Sequence, residues 1–315
     1  MENPDYKRRL AISGGSAAIE AQVDKAATGD RTVGIQQAEG RMNTKFVLRG
    51  LSLALPVAIV LTLAGVSLMA IVGPPPDPTP LPPTILAPRG KPPTGPVGFQ
   101  EWARYRGEAH RLVGSGFLIR LSDGQTVGVT TAHSLAIGKP DHPLQQIALG
   151  VAGQTNFVNF VNFVNFVIEF DTLQGQPGRS RGGADMTVDY VLLQSDQPID
   201  PGFVLTPDPR GVPQPGERVW LINGQRGADS DHHRLEGTVQ SVSDTAVWVL
   251  MDKLFYPGLA SGSPFVSQHT GQAVGMLIAG TLRGKRLLLG AHPIGSIVRL
   301  AESADEFPKL SEYGR

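Results

Sequence analysis

Apolar positions fall into three regimes along the chain. Over residues 1–50 they are scattered among polar and charged positions with little periodicity, and this reads as a mostly disordered tail. From Leu51 to Val72 they run as LSLALPVAIVLTLAGVSLMAIV, with no charged residue. At about 1.5 Å rise per residue, such a run just spans a bilayer core of roughly 30 Å as one helix. It is longer than the apolar region of a cleaved signal peptide and begins far later. From about Val97 the pattern changes again. Short runs rich in β-branched residues are separated by Gly, Pro, Asp and Asn. They are GSGFLIRL (Gly114–Leu121), GVTTAH (Gly128–His133), DYVLLQ (Asp189–Gln194), ERVWLING (Glu217–Gly224), EGTVQSV (Glu236–Val242), TAVWVLM (Thr245–Met251) and QAVGMLIAG (Gln272–Gly280). These predict strands of a sandwich or barrel, and only GSIVRLAES near the end reads as helical.

The segments between these regimes set the organisation. Gly73 to Pro96 is dense in proline, which fixes φ and removes a donor, so it predicts an extended spacer with no core of its own. Five regions follow: a cytoplasmic tail 1–50, a transmembrane helix 51–72, a proline-rich linker 73–96, a folded domain 97–305 and a C-terminal tail 306–315. Arg41, Lys45 and Arg49 precede the apolar run, whereas the first cations after it are Arg89 and Lys91. The positive-inside rule then keeps the N-terminus cytoplasmic and puts the folded domain outside, periplasmic or extracellular. One repeat, NFVNFVNFVNFV from Asn156 to Val167, has a period of three, which matches neither strand nor helix. It reads as a duplicated block in an edge strand or hairpin insertion.

Composition removes several chemistries. The chain has 315 residues, no formal net charge and a pI near 7.1, which argues against a nucleic-acid partner. With no cysteine, it has no disulfides, thiolate metal sites or cysteine nucleophile. The segment DSDHHR (Asp229–Arg234) offers carboxylates and imidazoles, but neighbours on an extended chain point apart. It is expected to be a solvated hairpin loop, and no metal or cofactor is assigned.

Nucleophilic catalysis is the chemistry left. YPGLASGSPF (Tyr256–Phe265) contains Ser261, and a serine hydroxyl needs a base, an orienting group and donors for an oxyanion. TTAHS places His133 where an apolar strand turns, and DYVLLQSDQPI begins with Asp189. The order His, Asp, Ser is that of one known triad arrangement.

Taken together, VGSGFLI, TTAHS, DYVLLQSDQPI, GERVWLING, ASGSPF and GQAVGMLIAG resemble the trypsin-like, chymotrypsin-fold serine peptidases, especially the cysteine-free bacterial ones. They recur in family order across about Arg111 to Arg299. The resemblance implies an all-β fold of two six-stranded antiparallel barrels with a short C-terminal helix and a cleft between the barrels. It implies Ser261 as nucleophile, His133 as general base and acid, and Asp189 as orienter, with Asp185 in ADMTVDY as a rival. The backbone N–H groups of Leu259 and Ser261 would form the oxyanion hole. Phe255 would stand at the base of the substrate pocket and Ile278, Ala279 and Gly280 on its wall.

Two positions depart from the family pattern. Leu259 stands where glycine is usual, and Ile278 where serine is usual. A side chain at the first position either accepts a strain of about 1–3 kcal/mol or lets the peptide flip, leaving one donor. The expected function is a membrane-anchored serine endopeptidase acting on protein or peptide outside the cytoplasm. The alternatives are a catalytically silent domain that binds envelope proteins and a signal-anchor sensor whose tail binds a partner.

Overall fold

A computed structural model describes residues 87–135, 143–152, 166–180, 184–195, 197–227 and 232–312. The apolar run 51–72 and residues 156–165 of the repeat lie outside them. Among the described residues, no helix is long and apolar enough to cross a membrane.

Among the described residues, thirteen strands form two antiparallel sheets. The first seven are β1 (Phe99–Tyr105), β2 (Arg111–Arg120), β3 (Thr126–Thr130), β4 (Leu144–Gly150), β5 (Val167–Phe170), β6 (Thr172–Leu173) and β7 (Val191–Gln194). They pair in the order β5-β4-β1-β2-β3-β7-β6. The next six are β8 (Arg218–Ile222), β9 (Arg234–Val242), β10 (Val247–Met251), β11 (Pro264–Ser267), β12 (Ala273–Arg283) and β13 (Arg286–Pro293). They close into a barrel in the order β10-β13-β12-β11-β8-β9, which leaves no free sheet edge. One helix, α1 (Ile294–Glu302), follows β13. The expected all-β architecture with a C-terminal helix is present. The first half departs from the expected six strands, because β6 adds a two-residue strand to a seven-stranded sheet.

Several strands are apolar at nearly every position because both of their faces are covered. In β8, Val219 and Leu221 point into the barrel interior with Val249, Leu277 and Leu289. Trp220 and Ile222, on its other face, join a second core that also takes Phe117, Ile119, Val127 and Val129 from the first sheet. The strand β10 divides in the same way, with Val247, Val249 and Met251 inside and Trp248 and Leu250 at the shared core. A third core fills the first sheet around Phe99, Leu118, Leu149 and Leu193. The central core therefore joins the two halves, and burial of large apolar side chains on both faces makes their relative placement rigid.

Both ends of the expected domain extend further than the sequence suggested. Residues 306–312, assigned to a C-terminal tail, return to the first sheet: Gly175 N donates to Glu306 O (2.8 Å), Leu173 N to Pro308 O (2.9 Å) and Leu310 N to Asp171 O (2.8 Å). Leu310 is buried there. The end of the proline-rich linker also docks, with Gly90 N donating to Gln268 O at 3.0 Å. Of the repeat, Phe166 packs between Phe99 and Phe203, with ring centroids 5.3 and 3.6 Å away, and Val167 opens β5.

Candidate active site

The strand β3 ends at Thr130, and the chain turns through Thr131–Leu135, which brings His133 to the junction of the two halves. His133 Nδ1 lies 2.7 Å from Asp189 Oδ2. The other carboxylate oxygen accepts from the N–H groups of Ala132 (2.8 Å) and His133 (3.1 Å). Asp189 is fully buried, so these donors supply what water would otherwise provide. The carboxylate thus fixes the imidazole edge and the turn carrying it. With Nδ1 donating, the neutral ring presents Nε2 as an acceptor. Asp185 is elsewhere: its Oδ1 accepts from Thr187 N (2.9 Å) and Thr187 Oγ1 (2.6 Å) at an exposed turn.

Ser261 sits on the loop between β10 and β11. Its Oγ donates to Ile278 O at 3.5 Å, and among the described residues no hydrogen bond joins it to His133. Proton transfer needs these groups within about 2.6–3.2 Å, a contact often formed only with substrate bound. Rotation about the Ser261 Cα–Cβ bond is the motion that re-aims Oγ.

The carbonyls around Ser261 are committed and the amides needed for an oxyanion are free. Pro257 O accepts from Ala260 N (3.0 Å), Leu259 O from Ser115 Oγ (2.9 Å), Ala260 O from Ser263 N (3.0 Å) and Ser261 O from Ser115 N (2.9 Å). Neither Leu259 N nor Ser261 N donates to any group among the described residues. Leu259 has φ 64°, and it is the only non-glycine residue at positive φ among them. The leucine has taken the conformation in which glycine is usual. Its side chain is 45% exposed, so its own burial does little to offset the strain. Gly262 follows at φ 92°, where an added Cβ would lie 1.8 Å from Ser115 O, so no side chain fits.

The expected pocket residues are all apolar in their surroundings. Phe255 is partly buried and packs against the interior core of the barrel. Ile278 is buried in the central core, and Ala279 packs against it. The pairing of β12 with β13 shifts between Leu277 and Ala279, so Ile278 is the extra residue of a bulge, a feature that re-aims the chain. At Gly280 an added Cβ would lie 2.9 Å from Leu289 Cδ2. Asp252, the nearby acid before the loop, is held by Arg218 (3.0 Å to Oδ1) and lies 3.6 Å from Arg286.

Sequence reasoning missed four residues around this centre. Ser115 and Gln225 belong to the loop contacts: Gln225 Nε2 donates to Gly114 O (2.6 Å) and Ser115 Oγ (2.9 Å). His292, on β13, is fully buried, and burial lowers its pKa to about 4 against the opposing influence of the nearby Asp189 backbone and carboxylate. Glu101, on β1, is also fully buried, and its two oxygens find no hydrogen-bond partner among the described residues. It shares the space beside Gly114 with Ser134, the residue after His133. Burial raises the Glu101 pKa well above its ordinary value, opposed in part by Thr130. Spacing could not have found these, because each acts through a contact between strands distant in sequence. Of DSDHHR, Asp229 and Asp231 lie outside the described residues, and His233 Nδ1 meets Arg226 O at 3.0 Å across the hairpin.

Neither a family model nor a curated protein matches the chain. Among solved structures it is similar to kallikrein-related peptidase 10, at 16% identity over 66% of this chain and 94% of that one, with a TM-score of 0.44. It is also similar to a thermostable serine protease from an extremophilic microorganism, at 11% identity over 68% and 99% of the chains, with a TM-score of 0.43. A third is catalytically active tobacco etch virus protease complexed with product, at 15% identity over 71% and 85%, with a TM-score of 0.42.

The buried Glu101 makes stability depend on pH. Its folded pKa lies above its unfolded value, so its contribution is fully present below about pH 4.5 and is lost as pH rises towards the folded pKa. Glu101→Gln does not titrate. Its melting temperature should match wild type near pH 4 and exceed it increasingly towards pH 7.5. A gap that stays constant with pH would rule out a raised carboxyl pKa.

Proposed function

We propose that the chain is a serine endopeptidase working through Ser261, His133 and Asp189. The observation that carries this reading is the pairing of a buried, triply hydrogen-bonded Asp189 at His133 with a serine loop whose two amides are uncommitted. Substrate brings a peptide carbonyl to Ser261, and Oγ attacks the carbon as His133 Nε2 takes its proton. The oxygen becomes an anion facing the Leu259 and Ser261 N–H groups. Collapse breaks the C–N bond, His133 gives the proton to the leaving amine, and an acyl ester remains on Ser261. Water attacks that ester by the same route, returning the proton to Oγ. Asp189 holds the tautomer and stabilises the imidazolium throughout.

A second reading, a catalytically silent binding module, draws on one observation: the resting Ser261 Oγ faces Ile278 O and not His133. The two are separable. A fluorophosphonate probe should label the wild-type chain and spare Ser261→Ala, and Asp189→Asn should lower turnover of a peptide ester by roughly ten-thousandfold. Absence of labelling on a folded chain would decide for the silent module.

Specificity follows from the pocket. Phe255 offers no charge, the wall of Ile278, Ala279 and Gly280 is apolar, and Asp252 is engaged by arginine. Small or apolar residues before the cleaved bond are therefore expected. A peptide library cleaved mainly after Arg or Lys would overturn this assignment.

The apolar run 51–72 and the cations before it support the reading that the proposed peptidase works outside the cytoplasm on a single anchor. Protease added to cells with any outer barrier opened should digest the C-terminal domain and leave residues 1–50 protected. Recovery of the full-length chain in the soluble fraction would refute the anchor.

A further inference from the structure

We infer that Ser115 is a positioning residue for the proposed reaction, a clamp on the Leu259 carbonyl that leaves the strained positive φ of Leu259 fewer ways to relax and so helps keep its N–H aimed for the oxyanion. The inference rests on the peptidase reading above.

Ser115 lies on β2, in the other half of the fold from the loop it holds, and it is fully buried. Its N–H donates to Ser261 O and its Oγ–H to Leu259 O, both at 2.9 Å. The Oγ can donate there because Gln225 Nε2 occupies it as an acceptor at 2.9 Å. Its carbonyl accepts from Thr130 Oγ1, also at 2.9 Å. Every polar group of Ser115 is used, and two of its bonds go to the nucleophile loop.

The peptide between Leu259 and Ala260 is therefore pinned at both ends, its oxygen by Ser115 Oγ and its N–H by Pro257 O. The next peptide is fixed through Ala260 O and Ser263 N. Because that peptide is trans, Ser261 N–H points to the opposite side from Ala260 O. For Leu259, with the following peptide held, only its own φ and ψ, the swing of the Gly258–Leu259 peptide, set where its N–H points. A leucine leaves positive φ readily unless its surroundings over-determine it. Without the clamp, the peptides on both sides of Leu259 can move to relieve it. With the clamp, only the Gly258–Leu259 peptide can. Ser115→Ala keeps the backbone bond to Ser261 O and deletes the bond to Leu259 O alone.

The test is a cycle of wild type, Ser115→Ala, Leu259→Gly and the double variant, read by ester turnover and by melting. In the leucine chain, Ser115→Ala should lower kcat by about 10- to 100-fold with KM within roughly threefold, approaching the loss of one oxyanion donor. Measured against Leu259→Gly, the same change should lower kcat less than about threefold, since glycine holds positive φ unaided. Melting should show the opposite order. Ser115→Ala should lower Tm by about 2–4 °C more in the glycine chain, where no strain is released to offset the lost bond. Equal kcat losses in the two backgrounds would overturn the clamp. If Ser115→Ala shows no cooperative melt, Gln225→Ala replaces it; a kcat loss that Leu259→Gly rescues supports the clamp, and a loss it does not rescue overturns it. Absence of turnover in wild type defeats the peptidase reading. The melting comparison then decides the clamp alone, and equal Tm losses overturn it.

Discussion

The site depends on the close approach of β2 to the nucleophile loop. Ser115 O lies where a Cβ on Gly262 would intrude at 1.8 Å, so the two backbones are in direct contact. The Ser115 N–H to Ser261 O bond crosses the same contact. This contact joins a strand of the first sheet to a loop of the closed barrel, and the central core around Phe117, Trp220 and Met276 lies between the halves. His133 and Asp189 come from the first half and Ser261 from the second. Their relative position is therefore set by packing between halves, which tolerates little displacement.

The strained residue shows how that rigidity is used. Holding Leu259 at φ 64° costs about 1–3 kcal/mol, a noticeable part of the roughly 5–15 kcal/mol that stabilises a domain. An exposed side chain recovers little of this by burial. The compensation comes from hydrogen bonds at the neighbouring carbonyls, each contributing about 0.5–1.5 kcal/mol net. Two such bonds within the loop and two from Ser115 are of the right size to hold it.

The sequence made the second half of the fold more legible than the first. Strands β8, β9, β10 and β12 coincide with runs of β-branched and aromatic residues, and the helix with its amphipathic segment. β1, FQEWARY, escaped notice because it carries Glu101 and two further charged or polar side chains among its apolar positions. β4 and β5 flank the threefold repeat, whose period hides the alternation of its neighbours. β13, RLLLGAHP, reads as a continuous apolar run because it is covered on both faces. At the site, His133 and Asp189 were legible because each stands at one end of an apolar run, and Ser261 because it sits in a Gly- and Pro-bounded turn between two such runs. Ser115 was hidden inside one. Its role depends on which strand face meets which loop, and that register is fixed by pairing distant in sequence.

The buried polar groups around the triad divide by whether they are satisfied. Asp189 receives three donors, and those bonds tie together the His133 turn and the start of β7. Glu101 and His292 lie on either side of this arrangement in sequence and are equally buried, yet no well-aligned hydrogen bond satisfies either side chain among the described residues, and only Thr130 and the Asp189 backbone approach them. Burial that these approaches offset only in part shifts both groups towards their neutral forms. One lies beside Ser134 and the other near the Asp189 backbone, so both touch the frame that holds His133. Keeping them uncharged keeps that frame free of competing ions. The charge that His133 would acquire in the proposed reaction is then answered across 2.7 Å by Asp189, a fully buried carboxylate beside an imidazole whose outer edge meets solvent.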